Sequence, residues 1–173
     1  WGVGTKLITS DDCPSFGGVY KLAAESDGNG AFIPKIKLSN NPSKVTNPGI
    51  KKIIRFYDKS TGKIKADLIC LEEEHYSQDE RIKLFDHMAK WKKMILKPGE
   101  YTIRELLVPV FINGECVYKS PSVKDIRSYC QKELETLWDE HRRLANPHIV
   151  PVDLSDKLID LKNKLIDEMS ETE

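Results

Sequence analysis

The first half of the chain alternates short apolar runs with polar, turn-forming stretches. The polar stretches SDGNG, NNPSKVTNPG and DKSTGK are rich in Gly, Pro, Asn, Asp and Ser, the residues that favour turns. The apolar runs between them contain many β-branched and aromatic residues. They predict β-strands over residues 18–24, 33–38, 50–57 and 64–71. The first half of the chain is therefore predicted to be a β-rich block.

Asn113 and Gly114 predict a hairpin further along the chain. Both residue types tolerate the left-handed backbone that a two-residue hairpin turn requires. The flanking apolar stretches, residues 106–112 and 116–118, are the candidate strands. Pro109 has no N–H to donate, so it predicts an edge position for the first of them.

Helical spacing of apolar residues occurs in three places. Residues 76–96 carry apolar side chains at every third or fourth position, which predicts a helix that ends at Lys97-Pro98-Gly99. Ser120, Pro121 and Ser122 supply a cap and a proline for a second helix, predicted to end near Asn146-Pro147. Its apolar face comprises Ile126, Cys130, Leu134, Leu137 and Trp138.

Ser155 is the predicted cap of a last helix with Leu158, Leu161 and Leu165 along one stripe. We expect Trp138 and the leucines of the last two helices to be core residues. The predicted fold class is therefore α+β, a β-rich block followed by C-terminal helices.

Charge is balanced in total but uneven along the chain. The 173 residues include 27 Lys and Arg against 27 Asp and Glu, so no global field favours nucleic acid or an anionic membrane. From Lys35 to Lys65, however, nine basic residues stand against the single Asp58, which indicates an anionic partner. From Asp153 to Glu173 seven acids face three lysines, a pattern typical of a solvated helix.

The cysteines favour a reduced, cytoplasmic setting. The four, at positions 13, 70, 116 and 130, lie far apart without a Cys-x-x-Cys pair, so neither a zinc site nor a disulfide framework is indicated. The sequence also has no membrane-length apolar stretch and no basic-then-apolar leader. Since the first residue is Trp1 and not Met, we expect the chain to be part of a longer protein.

Gly2-Val3-Gly4-Thr5 is a candidate phosphate-binding loop. Two glycines one residue apart allow backbone N–H groups to approach a phosphate closely. An isolated Gly-x-Gly is more often an ordinary tight turn. The surrounding sequence decides between the two interpretations.

Several motifs in order resemble nicotinate phosphoribosyltransferases. They are GTKLIT (4–9), PSFGGVYKL (14–22), PKIKLS (34–39), PSKVTNPGIKKIIR (42–55), GKIKADLICLEEE (62–74), LLVPVFINGECVYKSPSV (106–123) and WDEHRRLANPHIVPVDLSDKLIDLKNKLI (138–166). The resemblance spans essentially the whole chain and is that of the family's C-terminal part. It implies a type II phosphoribosyltransferase, with an irregular α/β barrel and a β-rich domain assembled from both chain ends.

The resemblance also implies the activity and its requirements. Such enzymes join nicotinate to phosphoribosyl pyrophosphate in NAD salvage, release pyrophosphate and couple this to ATP hydrolysis with Mg²⁺. It implies that residues 1–16 end the barrel portion, that residues 17–173 form the β-rich and helical region, and that the enzyme is a homodimer. The upstream barrel would supply the nicotinate site and the phosphohistidine, so this chain alone is expected to be inactive.

The candidate site residues come from the same resemblance. Gly2, Val3, Gly4 and Thr5 are expected to hold the 5-phosphate of the ribosyl group. Lys37 and Lys44, and after them Lys35 and Lys51, are expected near pyrophosphate or nucleotide phosphates. The alternative is that these lysines line the solvated face of a strand.

Other polar residues receive structural interpretations. If Glu72, Glu73 and Glu74 were in a strand, their side chains would point to alternate faces and could not converge on one metal ion. We therefore predict no metal site there, and we interpret the three residues as a solvated loop. His141 is expected to end a helix, and Cys13 to be a small buried thiol. We identify no catalytic residue and no metal ligand.

Two alternative functions remain open at this stage. Nucleic-acid binding by the lysines beside Phe56 and Tyr57 is disfavoured by the zero net charge and the lack of a recognition motif. A non-catalytic module that binds an anion or a phosphate is the alternative to a transferase segment.

Overall fold

A four-stranded sheet forms the centre of the fold in the computed structural model, which describes Gly4, residues 18–86, Ala89 and residues 91–171. Its strands are β3 (Lys51–Asp58), β4 (Ile64–Leu71), β7 (Tyr101–Glu105) and β10 (Val152–Leu154). Their spatial order is β10-β4-β3-β7. β3 pairs antiparallel with β4 and β7, whereas β10 pairs parallel with β4.

Three small antiparallel pairs accompany the central sheet. They are β1 (Ala24–Ser26) with β2 (Phe32–Pro34), β5 (Ile82–Phe85) with β6 (Lys93–Leu96), and β8 (Phe111–Ile112) with β9 (Glu115–Cys116). The first pair directly precedes the lysine-rich segment in sequence, so its position affects the candidate site.

The main core lies between the central sheet and the β5–β6 pair. Side chains of β3 and β4 pack there with Leu84, Leu96 and Tyr101, all almost fully buried. The ring of Phe56 meets that of Tyr101 edge-on, with ring centres 5.6 Å apart. A smaller cluster of Leu71, Leu154 and Leu158 joins the other end of the sheet to the last helix.

Two helices follow the strands. Helix α1 (Val123–Glu135) begins at Ser122, whose hydroxyl accepts the N–H of Asp125. Helix α2 (Asp156–Ser170) begins at Ser155, whose hydroxyl accepts the N–H of Leu158. The Ser155 cap and the α+β class are confirmed. At α1 the cap is Ser122, the second of the two candidate serines, so Pro121 lies before the helix and not in its first turn.

The hairpin turn is confirmed, although its strands are shorter than predicted. Asn113 and Gly114 have φ values of 50° and 83°, the left-handed backbone of a type I′ turn. Pro109 lies outside the two strands. The predictions for residues 50–57 and 64–71 correspond to β3 and β4. Those for 18–24 and 33–38 are largely wrong, because β1 shares only Ala24 with the first and β2 only Ile33 and Pro34 with the second.

The predicted helix over residues 76–96 is wrong, because strands β5 and β6 occupy most of that region. Ile82 and Leu84 are buried while Lys83 between them is exposed, which is the two-residue period of a strand. Two further strands, β7 and β10, were not predicted. The second helix also ends earlier than expected, at Glu135.

The core assignment of the helical residues is only partly correct. None of the residues of α1, all of which the structure describes, is buried. Trp138 is 36% exposed and its indole N–H donates to the carbonyl of Ile64 at 2.7 Å. Leu158 is fully buried, and Leu161 is half-buried against it in the same cluster.

Candidate functional site

Two segments of the lysine-rich region meet each other and the preceding residue Ala23 through backbone hydrogen bonds. The carbonyl of Ala23 accepts the N–H of Lys35 at 2.8 Å and that of Gly49 at 2.7 Å. The N–H of Lys37 donates to the hydroxyl of Thr46 at 2.7 Å, and the N–H of Thr46 donates to the carbonyl of Lys37 at 3.3 Å. These bonds fix residues 44–51, which we call the lysine loop, against residues 35–37.

The lysine loop is built as a rigid element. Thr46 and Pro48 are buried. Gly49 has a φ of 80°, a conformation that favours glycine, and a Cβ there would lie 3.0 Å from Cδ2 of Leu71. The carbonyl of Ile50 accepts the N–H of Glu72, which ties the end of the loop to the turn after β4.

The structure separates the basic residues of the block into paired and unpaired groups. Four of them form ion pairs with carboxylates: Lys35–Glu25, Lys52–Glu105, Arg55–Asp67 and Lys65–Asp58. Lys37 and Lys44 are exposed and form no ion pair with any residue that the structure describes. Lys37 and Lys44 are therefore available for an external anion, whereas Lys35 is partly neutralised.

Lys51 is half-buried at the end of the loop. Its ammonium group donates a hydrogen bond to the carbonyl of Gly49 and pairs with no carboxylate in the described part of the chain. Burial lowers the pKa of Lys51, because desolvation disfavours its charged form.

Two lysines that the sequence did not single out also contact the loop. The ammonium group of Lys21 donates to the carbonyl of Lys44 at 2.9 Å. The ammonium group of Lys162, on α2, donates to the side-chain oxygen of Asn47 at 2.9 Å. Lys162 lies in a mostly acidic stretch, so counting charges along the sequence does not identify it as a residue near the basic site.

The paired basic residues have a structural role. The guanidinium of Arg55 donates two hydrogen bonds of 2.7 Å to Asp67 across β3 and β4. The guanidinium of Arg104, on β7, donates two to Glu133, which attaches the end of α1 to the sheet. Because Glu133 already neutralises the charge of Arg104, Arg104 is not a candidate for binding an anionic ligand.

Comparison with known proteins identifies the family to which this fold and these motifs belong. Residues 50–162 match the family model of the nicotinate phosphoribosyltransferase C-terminal domain. The chain belongs to the nicotinate phosphoribosyltransferase family. It is 35% identical over 180 residues to a Bacillus subtilis protein named nicotinate phosphoribosyltransferase, and that match covers 99% of this chain and 36% of the relative.

Eukaryotic members of the nicotinate phosphoribosyltransferase family are similar over nearly the same range. A human protein of that name is 33% identical over 165 residues, which covers 95% of this chain and 29% of the relative. The crystal structure of human nicotinic acid phosphoribosyltransferase superposes with a TM-score of 0.61 and 28% identity, covering 70% of this chain and 24% of the other. The chain thus spans about a third of the length of the curated relatives it matches.

The candidate phosphate loop of this family member is described at one residue only. Gly4 is exposed, and a Cβ there would meet no atom within 4 Å. Gly2, Val3 and Thr5 lie outside the described residues, as does Cys13. The expected boundary between residues 16 and 17 also lies outside the described residues, so it stays a prediction.

The expectation of a solvated loop at the three consecutive glutamates fails for Glu74. Glu72 and Glu73 are exposed, but Glu74 is buried. Its carboxylate accepts hydrogen bonds from the Leu71 N–H, the Tyr76 hydroxyl and the Ser155 hydroxyl. Glu74 therefore joins the end of β4 to the start of α2 and is held as a structural acceptor.

The remaining polar candidates give no metal site in the described part of the chain. No group of three His, Cys, Asp or Glu residues there could hold a metal ion. His141 lies in the last turn of a short 3-10 helix, Asp139–Arg142, and its Nδ1 lies 2.7 Å from the carbonyl oxygen of His148. Among the described helices, none is sufficiently long and apolar to cross a membrane.

Proposed function

We propose that the chain is the C-terminal part of a nicotinate phosphoribosyltransferase that forms nicotinate mononucleotide. In this reaction the bond between the anomeric carbon of phosphoribosyl pyrophosphate and its pyrophosphate breaks. A bond from that carbon to the ring nitrogen of nicotinate forms, pyrophosphate leaves, and ATP hydrolysis is coupled to the cycle. The observation that carries the proposal is the family match over residues 50–162, extended by similarity to named relatives along 99% of the chain.

The chemistry assigns a role to the unpaired lysines. Displacement at the anomeric carbon passes through an oxocarbenium-like state, in which negative charge develops on the departing pyrophosphate. A fixed ammonium group near that charge stabilises it without reorganisation. Lys37 and Lys44 are our first candidates, because both are exposed and without an ion pair in the described part of the chain. Lys51 and the partly neutralised Lys35 follow.

The phosphate loop completes this assignment. We propose that the backbone N–H groups of Gly2, Val3, Gly4 and Thr5 hold the 5-phosphate of the ribosyl group, with the Thr5 hydroxyl as an additional donor. The exposed Gly4, around which a Cβ would find open space, is compatible with the approach of a ligand.

The partner of this chain is the remainder of the enzyme, which we propose contains the barrel, the nicotinate site and the phosphohistidine. The exposed apolar surface of α1 and of residues 107–118 supports this. Phe111 is 67% exposed and Tyr129 is 61% exposed. A hairpin with two-residue strands has little stability of its own and needs a partner surface. The complete enzyme is proposed to be a homodimer, with neither nucleic acid nor a membrane as a partner.

Mg²⁺ and ATP belong to the proposed reaction, but the described part of the chain offers no group of ligands for the metal. Because no group of three or more His, Cys, Asp or Glu residues among the described residues could hold a metal ion, we assign no Mg²⁺ ligand here. A cytoplasmic setting is proposed because Cys70, Cys116 and Cys130 are free thiols.

Lysine substitutions in the full-length enzyme test the assignment. Changing Lys44 or Lys37 to Met removes the charge and keeps most of the side-chain volume. Each change is expected to raise the KM for phosphoribosyl pyrophosphate by about tenfold, the order of one charge-assisted hydrogen bond. The KM for nicotinate should change little. Steady-state kinetics with each substrate varied in turn measures both values.

Lys59→Met is the matched control, since Lys59 is an exposed lysine of the same basic block on the turn after β3. Neither Lys37 nor Lys44 lies in a strand, so the strand-face alternative does not apply to them. An unchanged KM in both variants would show that these lysines are solvated surface residues without a role in substrate binding. If the full-length enzyme formed no product and the chain alone bound phosphoribosyl pyrophosphate in a calorimetric titration, the anion-binding module would replace the transferase.

A further inference from the structure

We propose that Lys162 is a positioning residue for the phosphate-facing lysine loop and acts through Asn47. The inference rests on the proposed function, because the loop matters only if its lysines meet a phosphate. It assigns to α2 a role in substrate binding although the helix lies far along the chain from residues 44–51.

The contact itself is specific and partly shielded from water. The ammonium group of Lys162 lies 2.9 Å from the side-chain oxygen of Asn47, and both residues are half-buried. Lys162 forms no ion pair within the described residues. A hydrogen bond from a charged donor is shorter and stronger than one between neutral groups, so it suits a fixed spacer between two elements.

The helix that carries Lys162 is firmly attached to the sheet. Its first turn is capped by Ser155, whose hydroxyl also bonds to the buried Glu74. Leu158 is fully buried in the small core cluster with Leu71. Because the start of α2 is fixed in this way, the stem of Lys162 extends from a rigid support.

The loop that receives the contact leads directly to the candidate lysines. Asn47 stands between Lys44 and Lys51 and next to Thr46, which holds the backbone of Lys37. Two residues after Asn47, Gly49 lies close to the side chain of Leu71 and to that of Leu161, which precedes Lys162 on α2. Movement of Asn47 would therefore displace the backbone from which these lysines extend.

Lysines 21 and 51 reinforce the loop in the same manner. The ammonium group of Lys21 donates a hydrogen bond to the carbonyl of Lys44, and that of Lys51 donates one to the carbonyl of Gly49. Among the described residues three ammonium groups contact the loop, and of these only that of Lys162 belongs to a helix and bonds to a side chain. A single substitution can thus remove this contact without altering the backbone bonds.

The test uses the full-length enzyme with Lys162→Met. We expect the KM for phosphoribosyl pyrophosphate to rise by about threefold to tenfold. This is the range for loss of a charged hydrogen bond to a residue that positions the ligand-binding loop but does not contact the ligand. The KM for nicotinate and the thermal midpoint should change little. Lys164→Met is the matched control, because Lys164 is an exposed lysine of the same helix that pairs with Glu168. Lys162→Arg, which retains a charged donor, should restore much of the affinity.

Asn47→Ala separates positioning from a general effect of charge. It removes the acceptor and leaves the charge of Lys162 in place, so it should raise the same KM to a similar extent. The double variant should be no worse than either single variant, since both changes break one interaction. Additive effects would show that Lys162 does not act through Asn47 and would overturn the proposal.

The outcomes also separate this inference from the proposed function. An enzyme that forms no nicotinate mononucleotide in its unaltered form contradicts the function itself. An active enzyme in which Lys162→Met matches Lys164→Met in every kinetic constant contradicts the positioning role alone. A fall in thermal midpoint with an unchanged KM shows a purely structural contact and contradicts it as well.

Discussion

The hydroxyl of Ser155 donates a hydrogen bond of 2.6 Å to the buried carboxylate of Glu74, a residue 81 positions earlier in the chain. The same hydroxyl accepts the N–H of Leu158 and so caps α2. Glu74 also accepts the N–H of Leu71 at 2.8 Å. One carboxylate therefore connects the last residue of a central strand to the first turn of the C-terminal helix.

Replacing Glu74 by Ala should lower the free energy of unfolding by about 3 kcal/mol, because it leaves buried donors without an acceptor. Denaturation of the chain by urea measures the change. Glu73→Ala is the control, since Glu73 is exposed and its removal should alter stability by less than about 0.5 kcal/mol. Equal effects of the two substitutions would contradict the role assigned to Glu74.

Glu133 should make stability depend on pH in the acid range. The hydrogen bonds from Arg104 hold the pKa of Glu133 below its ordinary value, although partial burial opposes the shift. The resulting stabilisation is fully present above the unfolded pKa of about 4.3 and is lost as pH falls through the lower folded value.

We therefore expect the unaltered chain to be more stable than Glu133→Gln by about 1 kcal/mol near neutrality, as for a partly exposed ion pair. The difference should vanish once the pH falls below the lowered pKa of Glu133 in the folded state, where the carboxyl is protonated in both the folded and unfolded states. Glu135→Gln on the same helix should show no such dependence, because Glu135 is exposed and its carboxylate has no partner among the described residues. A difference that is constant with pH would refute the ion pair.

A side chain at Gly49 should destabilise the fold. Gly49→Ala combines an unfavourable positive φ with a Cβ only 3.0 Å from Cδ2 of Leu71, so we expect a loss of about 2–3 kcal/mol. Gly62→Ala is the control, since Gly62 also has a positive φ but a Cβ there would meet open space. It should cost about 1 kcal/mol. Chemical denaturation of both variants compares the two, and similar losses would exclude a packing contribution.

The sequence could predict the strands whose pattern is local. β3 and β4 are rich in β-branched and other apolar residues, with charged residues between them, and turn signals flank both strands. Asn113 and Gly114 are the residue types that a two-residue hairpin turn requires. The caps Ser122 and Ser155 are likewise local signals. Each of these predictions depends on neighbouring residues only.

The errors arise where long-range contacts decide. Residues 82–85 fit a helical spacing as well as a strand, and only pairing with residues 93–96 selects the strand. β10 is three residues long and becomes a strand through parallel pairing with β4. Glu74 appears solvated in a run of acids, but its burial depends on Ser155 in a distant helix.

The candidate site shows the same division. The family motifs drew attention to Lys37 and Lys44, and both are unpaired in the described part of the chain. Charge counting could not show that Lys35 is matched by Glu25 or that Lys162 reaches the loop from an acidic helix. Those relationships exist only in the folded chain.

Nicotinate mononucleotide formation, assayed in parallel for the full-length enzyme and for the 173-residue chain, tests the central claim most directly. Both proteins would receive nicotinate, phosphoribosyl pyrophosphate, ATP and Mg²⁺. We predict product from the full-length enzyme and none from the chain alone, because the proposed nicotinate site and phosphohistidine belong to the remainder of the enzyme. A folded full-length enzyme that releases no nicotinate mononucleotide would contradict the assignment.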